Sequence, residues 1–217
     1  GGDGAAGGGA GGAGGNGVAN FKDNVQALLV KVGGEDGTNN AGAGGKGGQG
    51  IVTFNGNANV VTDVTFTAGG HANNTVNLGD GAKVSSIFDF ANSAGTINLG
   101  DGAEINGAVL SNGGANGTIT STGNAVITGI VGAGGGGTEV GLIEAKGGAD
   151  KVLTFNAAVD ANELKVSGKG KVVLKDHFGV GANSTGKFHA DGIITVENKN
   201  FTGPITTTGG NADRGTL

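Results

Sequence analysis

Thr75-Val-Asn-Leu-Gly-Asp-Gly-Ala-Lys-Val84 is followed, 21 residues on, by Thr96-Ile-Asn-Leu-Gly-Asp-Gly-Ala-Glu-Ile105. A worn third copy is Thr118-Ile-Thr-Ser-Thr-Gly-Asn-Ala-Val-Ile127, and a fourth lies upstream at Ile51-Val-Thr-Phe-Asn-Gly-Asn-Ala-Asn-Val60. Self-similarity at a period in the low twenties is the signature of a solenoid, in which each repeat buries its apolar side chains only against the repeats above and below.

Strand side chains alternate between faces, so the copies can be aligned into columns. Val52, Val76, Ile97 and Ile119 form one inward column, and Phe54, Leu78, Leu99 and Ser121 the next. Ala58, Ala82, Ala103 and Ala125 form a third, followed by Val60, Val84, Ile105 and Ile127. Between the second and third columns fall Gly56-Asn57, Asp80-Gly81, Asp101-Gly102 and Gly123-Asn124, residues that accept the positive φ of a tight bend. A further apolar column, Val64, Phe88, Val109 and Val131, lies on the return. Each repeat therefore reads as strand, sharp turn, strand and return, and the fold expected is all-β, a right-handed parallel β-helix. Coils about 4.8 Å apart let each strand's backbone groups pair with the coils on either side.

Composition fits a thin core. The chain of 217 residues has 52 Gly and nine Phe, with no Trp, Tyr, Met or Cys. Without Cys there is no disulfide framework, thiol chemistry or Cys-based zinc site. No stretch approaches the roughly 20 apolar residues of a membrane helix, so no membrane insertion by this segment is expected. The start, Gly-Gly-Asp-Gly-Ala-Ala6, reads as the cut end of a longer chain. The formal charge of −5 argues against nucleic acid as a partner. It is uneven: residues 1–150 carry 12 acids and five Lys, while residues 151–217 carry six acids and eight bases, Lys165, Lys169, Lys171 and Lys175 among them. That cluster reads as a solvated face.

Residues 1–50 are expected to form a Gly-rich N-terminal segment, and 51–217 the β-helix. Gly1 to Gly17 reads as a flexible linker because ordering glycine is costly. The run Val25-Gln-Ala-Leu-Leu-Val-Lys-Val32 reads as a first rung or cap, a strand rather than a helix. Gly33 to Gly50 reads as a loop between rungs. Gly42-Ala-Gly-Gly-Lys-Gly-Gly48 lacks the G-x-x-x-x-G-K-[ST] spacing of a phosphate loop. After Gly132–Gly137 a degenerate rung is expected at Val140 to Glu144. The next is Val152-Leu-Thr-Phe-Asn156, whose Thr-Phe-Asn repeats Thr53-Phe54-Asn55, and Lys171–Lys175 and Ile193–Glu197 follow. The lone Pro204 suggests a turn or an edge near the end.

Three constellations bear on chemistry. Asp80 and Asp101 share a position in adjacent coils, as a general acid/base pair or half a calcium site would need. Asp-Gly is also a favoured turn pair, and the G-G-x-G-x-D-x-U-x calcium repeat is missing. Lys83 and Glu104 should stack as an exposed pair. His71, His177 and His189 have no metal-ligand spacing. Some β-helices cleave acidic polysaccharides with clustered Asp, Lys and Arg, but here Arg214 is the only Arg and no Tyr or Trp can stack a sugar. No catalytic, cofactor-binding or metal residue is assigned, no cofactor is expected, and the protein is read as not an enzyme.

Ile51-Val-Thr-Phe-Asn-Gly-Asn-Ala-Asn-Val60, Leu153-Thr-Phe-Asn-Ala-Ala-Val159 and Gly132-Ala-Gly-Gly-Gly-Gly-Thr138 resemble the passenger regions of rickettsial autotransporters, the surface cell antigen proteins that include outer membrane protein B. The likeness covers most of the chain from Ile51 onward and lies in low-complexity repeats. It implies a secreted, β-helical passenger displayed on the outer membrane's extracellular face, used as an adhesin for host-cell attachment and entry, and in some members as a surface layer. The partner is then a host-cell surface protein or neighbouring copies of the same chain. The resemblance carries no catalytic residue onto any position.

Overall fold

A computed structural model describes residues 11–22, 24–36, 45–56, 58–67, 73–112, 117–132, 139–179, 187–190 and 192–197. The expectations for residues 1–10, His71, Pro204 and Arg214 fall outside them.

The chain is all-β, a solenoid of parallel strands. On the first face lie Gly17–Phe21, Gly50–Phe54, Thr75–Leu78, Thr96–Leu99, Thr118–Ser121, Val140–Ala145, Val159–Val166 and Lys187–Ala190, each paired in parallel with the next. On the second face lie Val25–Val32, Asn59–Phe66, Lys83–Val84, Ala103–Ile105, Ala125–Ile127, Val152–Phe155, Lys171–Leu174 and Ile193–Val196. A short third ladder links Val64, Phe88, Val109, Val131, Val159 and Phe178.

The inward columns appear in the register expected. Val52, Val76, Ile97 and Ile119 are in line and continue into Ile143 and Leu164. Val60, Val84, Ile105 and Ile127 continue into Phe155 and Leu174. These side chains form one continuous buried core. Ser121, the polar member of its column, is buried and satisfies its hydroxyl on the Gly123 carbonyl at 2.9 Å. Gly81 and Gly102 take φ +75, as their Asp-Gly turns require.

Phe155 is a correction. The Thr-Phe-Asn match places it beside Phe54 on the first face, but it pairs with Ile127 on the second. Val140–Ala145 supplies the first face of that coil. An inward aromatic between two outward polar residues suits any face of a solenoid, so three matching residues cannot tell the faces apart.

At the N-terminus the expected first rung, a strand, is present, and the flexible-linker reading of Gly11–Gly17 fails. Val25–Val32 is a strand, paired with Asn59–Phe66, and Gly17–Phe21 pairs in register with Gly50–Phe54. The described strands of the Gly-rich segment thus belong to the solenoid. Gly11–Gly17 is not a free linker. It runs beside 45–50, Gly14 N–H donating to the Lys46 carbonyl and Gly17 N–H to the Gln49 carbonyl, both at 2.8 Å. On the other side Gly34 N–H donates to the Gly48 carbonyl at 2.9 Å. The two tracts share a phrase, Gly11-Gly-Ala-Gly-Gly-Asn-Gly17 and Gly44-Gly-Lys-Gly-Gly-Gln-Gly50. Their contacts recur every third residue, the repeat of a polyproline-II-like chain. A Cβ on Gly45 would run into the Gly12 carbonyl, one on Gly48 into that of Gly15, and one on Gly47 into that of Gly34. The order lost in the linker reading comes back as backbone packing that only glycine permits.

Two substitutions test this packing. Leu99, 1% exposed, sits in mid-column, so Leu99→Asp buries a carboxylate with no partner. It should cost at least ~3 kcal/mol, read as a large fall in thermal unfolding temperature. Gly48→Ala should accelerate hydrogen exchange at the Gly17 and Gly34 amides. Gly15→Ala should leave exchange unchanged, because its Cβ meets nothing within 4 Å.

Candidate functional site

The Asp80 and Asp101 carboxylates stack as their positions demand, but each is taken up by the next coil. Asp80 Oδ1 accepts the Asp101 N–H at 2.8 Å, and Asp101 Oδ1 accepts the Asn124 N–H at 2.7 Å and its Nδ2 at 2.9 Å. Asn124 Oδ1 then accepts the Val152 N–H at 3.1 Å. Asp101 Oδ2 faces Lys151 Nζ at 2.9 Å. The Lys151 ammonium first, and the Asn124 amide next, hold the Asp101 carboxyl below its ordinary range. The arrangement is a ladder of turn caps: the carboxylates point along the rod axis into backbone donors, where a metal or acid/base pair would need them to converge.

Other outward groups behave alike. Asn98 Nδ2 donates to Asn77 Oδ1 at 2.9 Å, and Asn77 Nδ2 to Thr53 Oγ1 at 3.3 Å. Lys83 meets Glu104 at 2.9 Å, the stacked pair expected. Glu144, 7% exposed, lies between Lys165 at 2.9 Å and Lys146 at 3.0 Å. Burial opposes its ionisation, but the two lysines outweigh that and leave its carboxyl below the ordinary value. Of the basic cluster, Lys165 is therefore engaged with Glu144, while Lys169 sits in a turn at φ +66 and Lys175 is exposed.

Sequence reasoning missed one grouping, around Asp160. This residue aligns with Gly179 in one neighbouring coil, and its N–H donates to the Val131 carbonyl in the other, beside Gly132. A Cβ on Gly132 or Gly179 would run into Asp160 atoms, so the aspartate fits only because glycine flanks it on both sides. Burial pushes the Asp160 carboxyl up; His177 opposes the shift and Glu139 adds to it. Glu139 precedes Val140 as Asp160 precedes Ala161 one coil on, but neither lies within the repeated phrase, and His177 lies off their column. His189 falls on the first face opposite Lys165.

Among the described residues no three of His, Asp and Glu gather as a metal site, and no helix is long and apolar enough to cross a membrane. An open depression of about 320 Å³ lies at the N-terminal end, lined by Gly33, Gly50, Ala19 and Val52 among others. A smaller one, about 230 Å³, lies on the second face between Glu104, Val126 and Val152. The first exposes mainly backbone and aliphatic groups, and the second mixes aliphatic groups with Glu104, Asn124 and Thr154. No family model, no curated protein and no solved structure matches the chain.

Glu144 and Asp160, shifted in opposite directions, make opposite predictions. The Glu144 contribution is present above its unfolded pKa and lost as pH falls through the lower folded value. Glu144→Gln should therefore lower the unfolding temperature at neutral pH, by about 2–4 °C for each ~1 kcal/mol lost, and matter little in acid. Asp160, with its folded pKa raised, contributes fully below the unfolded value and loses this as pH rises. Asp160→Asn should raise the unfolding temperature at neutral pH, with the gain vanishing in acid. Thermal scans across pH read both.

Proposed function

We propose that this chain is part of a bacterial cell-surface protein, an autotransporter passenger that acts as an adhesin in host-cell attachment and entry. In this reading it is displayed on the extracellular face of the outer membrane and uses no cofactor and no catalysis. The observation that carries the proposal is the disposition of the outward polar groups. Asn77 with Asn98, Lys83 with Glu104 and Asp101 with Lys151 bond along the rod and do not converge on a centre. Most apolar side chains stack between coils, and the surface carries separate polar groups along the rod with single exposed apolar residues such as Val61, Ile87 and Ile130 among them. Such a surface suits contact spread over many weak interactions, which gains strength when copies are arrayed. The resemblance of the repeats to rickettsial passengers points the same way.

A lattice or matrix protein is the second reading, favoured by the same regular faces, which repeat identically in every copy and suit lateral self-association. Beads coated with the chain should adhere to host cells more than beads coated with an unrelated β-helix. Clustering of the beads without adhesion would replace the adhesin reading with the lattice. Neither adhesion nor clustering would defeat both.

A further inference from the structure

An Asn followed by Gly is a weak point in a polypeptide. The glycine N, unshielded by a Cβ, can attack the asparagine side-chain carbon, and hydrogen bonds that tie down either group slow the attack. The chain has Asn-Gly at 16–17, 55–56, 106–107, 112–113 and 116–117. Both residues are described in the first three, and these are held differently. Asn16 Oδ1 accepts the Gln49 N–H at 2.9 Å while Gly17 N–H donates to the Gln49 carbonyl at 2.8 Å, so both reacting groups are engaged. Asn55 Nδ2 donates to the Phe21 carbonyl at 3.3 Å. Asn106 is exposed at the bend from the second face to the third. Among the described residues, neither its side-chain amide nor the Gly107 N–H has a hydrogen-bond partner.

We propose that Asn106 is a site of spontaneous self-modification in the folded rod. Gly107 N, losing its proton, bonds to Asn106 Cγ, and the C–N bond of the side-chain amide breaks to release ammonia. Water then adds across one or other C–N bond of the cyclic imide, leaving aspartate or isoaspartate. The reaction needs only water and is favoured by base, which deprotonates the attacking nitrogen.

The location gives the change a structural effect. Gly107 is stacked between Ser86 and Gly129, and a Cβ on Gly107 would run into the Ser86 carbonyl. Asn106 N–H donates to the Val84 carbonyl at 2.7 Å. Ile105 and Val109, on either side, are both fully buried in successive ladders. Isoaspartate inserts an extra main-chain carbon between those two anchored columns, and the bend has no slack to absorb it.

The test is incubation of the whole chain in mildly alkaline buffer, followed by peptide mapping for the amide-to-acid mass gain and for isoaspartate. Asn106 is expected to convert several-fold faster than Asn16 and Asn55, and that lead should disappear in urea, where no site is held. In parallel, thermal unfolding of the incubated parent should broaden and shift down, while Asn106→Gln, which cyclises far more slowly, keeps its transition. Conversion of Asn106 no faster than Asn16 or Asn55 in the folded chain would overturn the proposal. So would a lead that persists unchanged in urea, since sequence rather than fold would then set it.

Discussion

Each coil of this solenoid lies directly on its neighbour in parallel register, and every other feature depends on that constraint. Strands about 4.8 Å apart leave no room for side chains to interleave freely between coils, so like must stack on like. Val76 on Ile97 and Val84 on Ile105 satisfy the rule inside. Asn77 with Asn98 and Lys83 with Glu104 satisfy it outside. Even the turns obey it, because each Asp or Asn caps a backbone donor of the next coil.

The glycine tracts follow from the same constraint in another form. Where coils stack without apolar side chains between them, the backbones themselves must touch, and a methyl group is already too large. Phe66 and Phe90 show the intermediate case. Their rings stack with centroids 4.9 Å apart and lie against Gly95 and Gly117 respectively, the missing Cβ making space for each ring. Glycine here is a packing residue, chosen for its size as much as for its conformational freedom.

The core and its register are legible in the sequence because Val, Ile, Leu and Ala recur at fixed offsets in copies that have diverged little. The ladder at Val64, Phe88, Val109 and Val131 can be read from the sequence alone for that reason. Legibility fails in two kinds of place. Phe155 lands on the wrong face in a reading by local pattern, which carries period but not phase once the chain between Ala145 and Leu153 has lengthened. Gly11–Gly17 reads as slack chain because propensity counts the entropy lost by glycine and cannot see the backbone partner at 45–50. The Lys83–Glu104 pair is visible since its residues share a column within the repeated phrase, whereas Asp160 feels Glu139 and His177 from outside that phrase, His177 lying off its column.

The spacings around one coil are not equally free. From Val60 to Val64, Val84 to Phe88, Ile105 to Val109, Ile127 to Val131, Phe155 to Val159 and Leu174 to Phe178 the step is constant, and only the first coil, from Val25 to Val30, adds a residue through a bulge. From the third ladder back to the first face it varies widely, from Val159 to Leu164 at the shortest, through Val64 to Val76 and Val131 to Ile143, to Val30 to Val52 at the longest. This edge can therefore lengthen or shorten from coil to coil while the ladders stay in register, and the edge from the first face to the second does so at Ala145–Leu153 and Val166–Val172. Natural variation confined to that edge would alter what the rod displays without altering whether it folds, and foreign peptides grafted there would be carried at regular heights along a rigid mast.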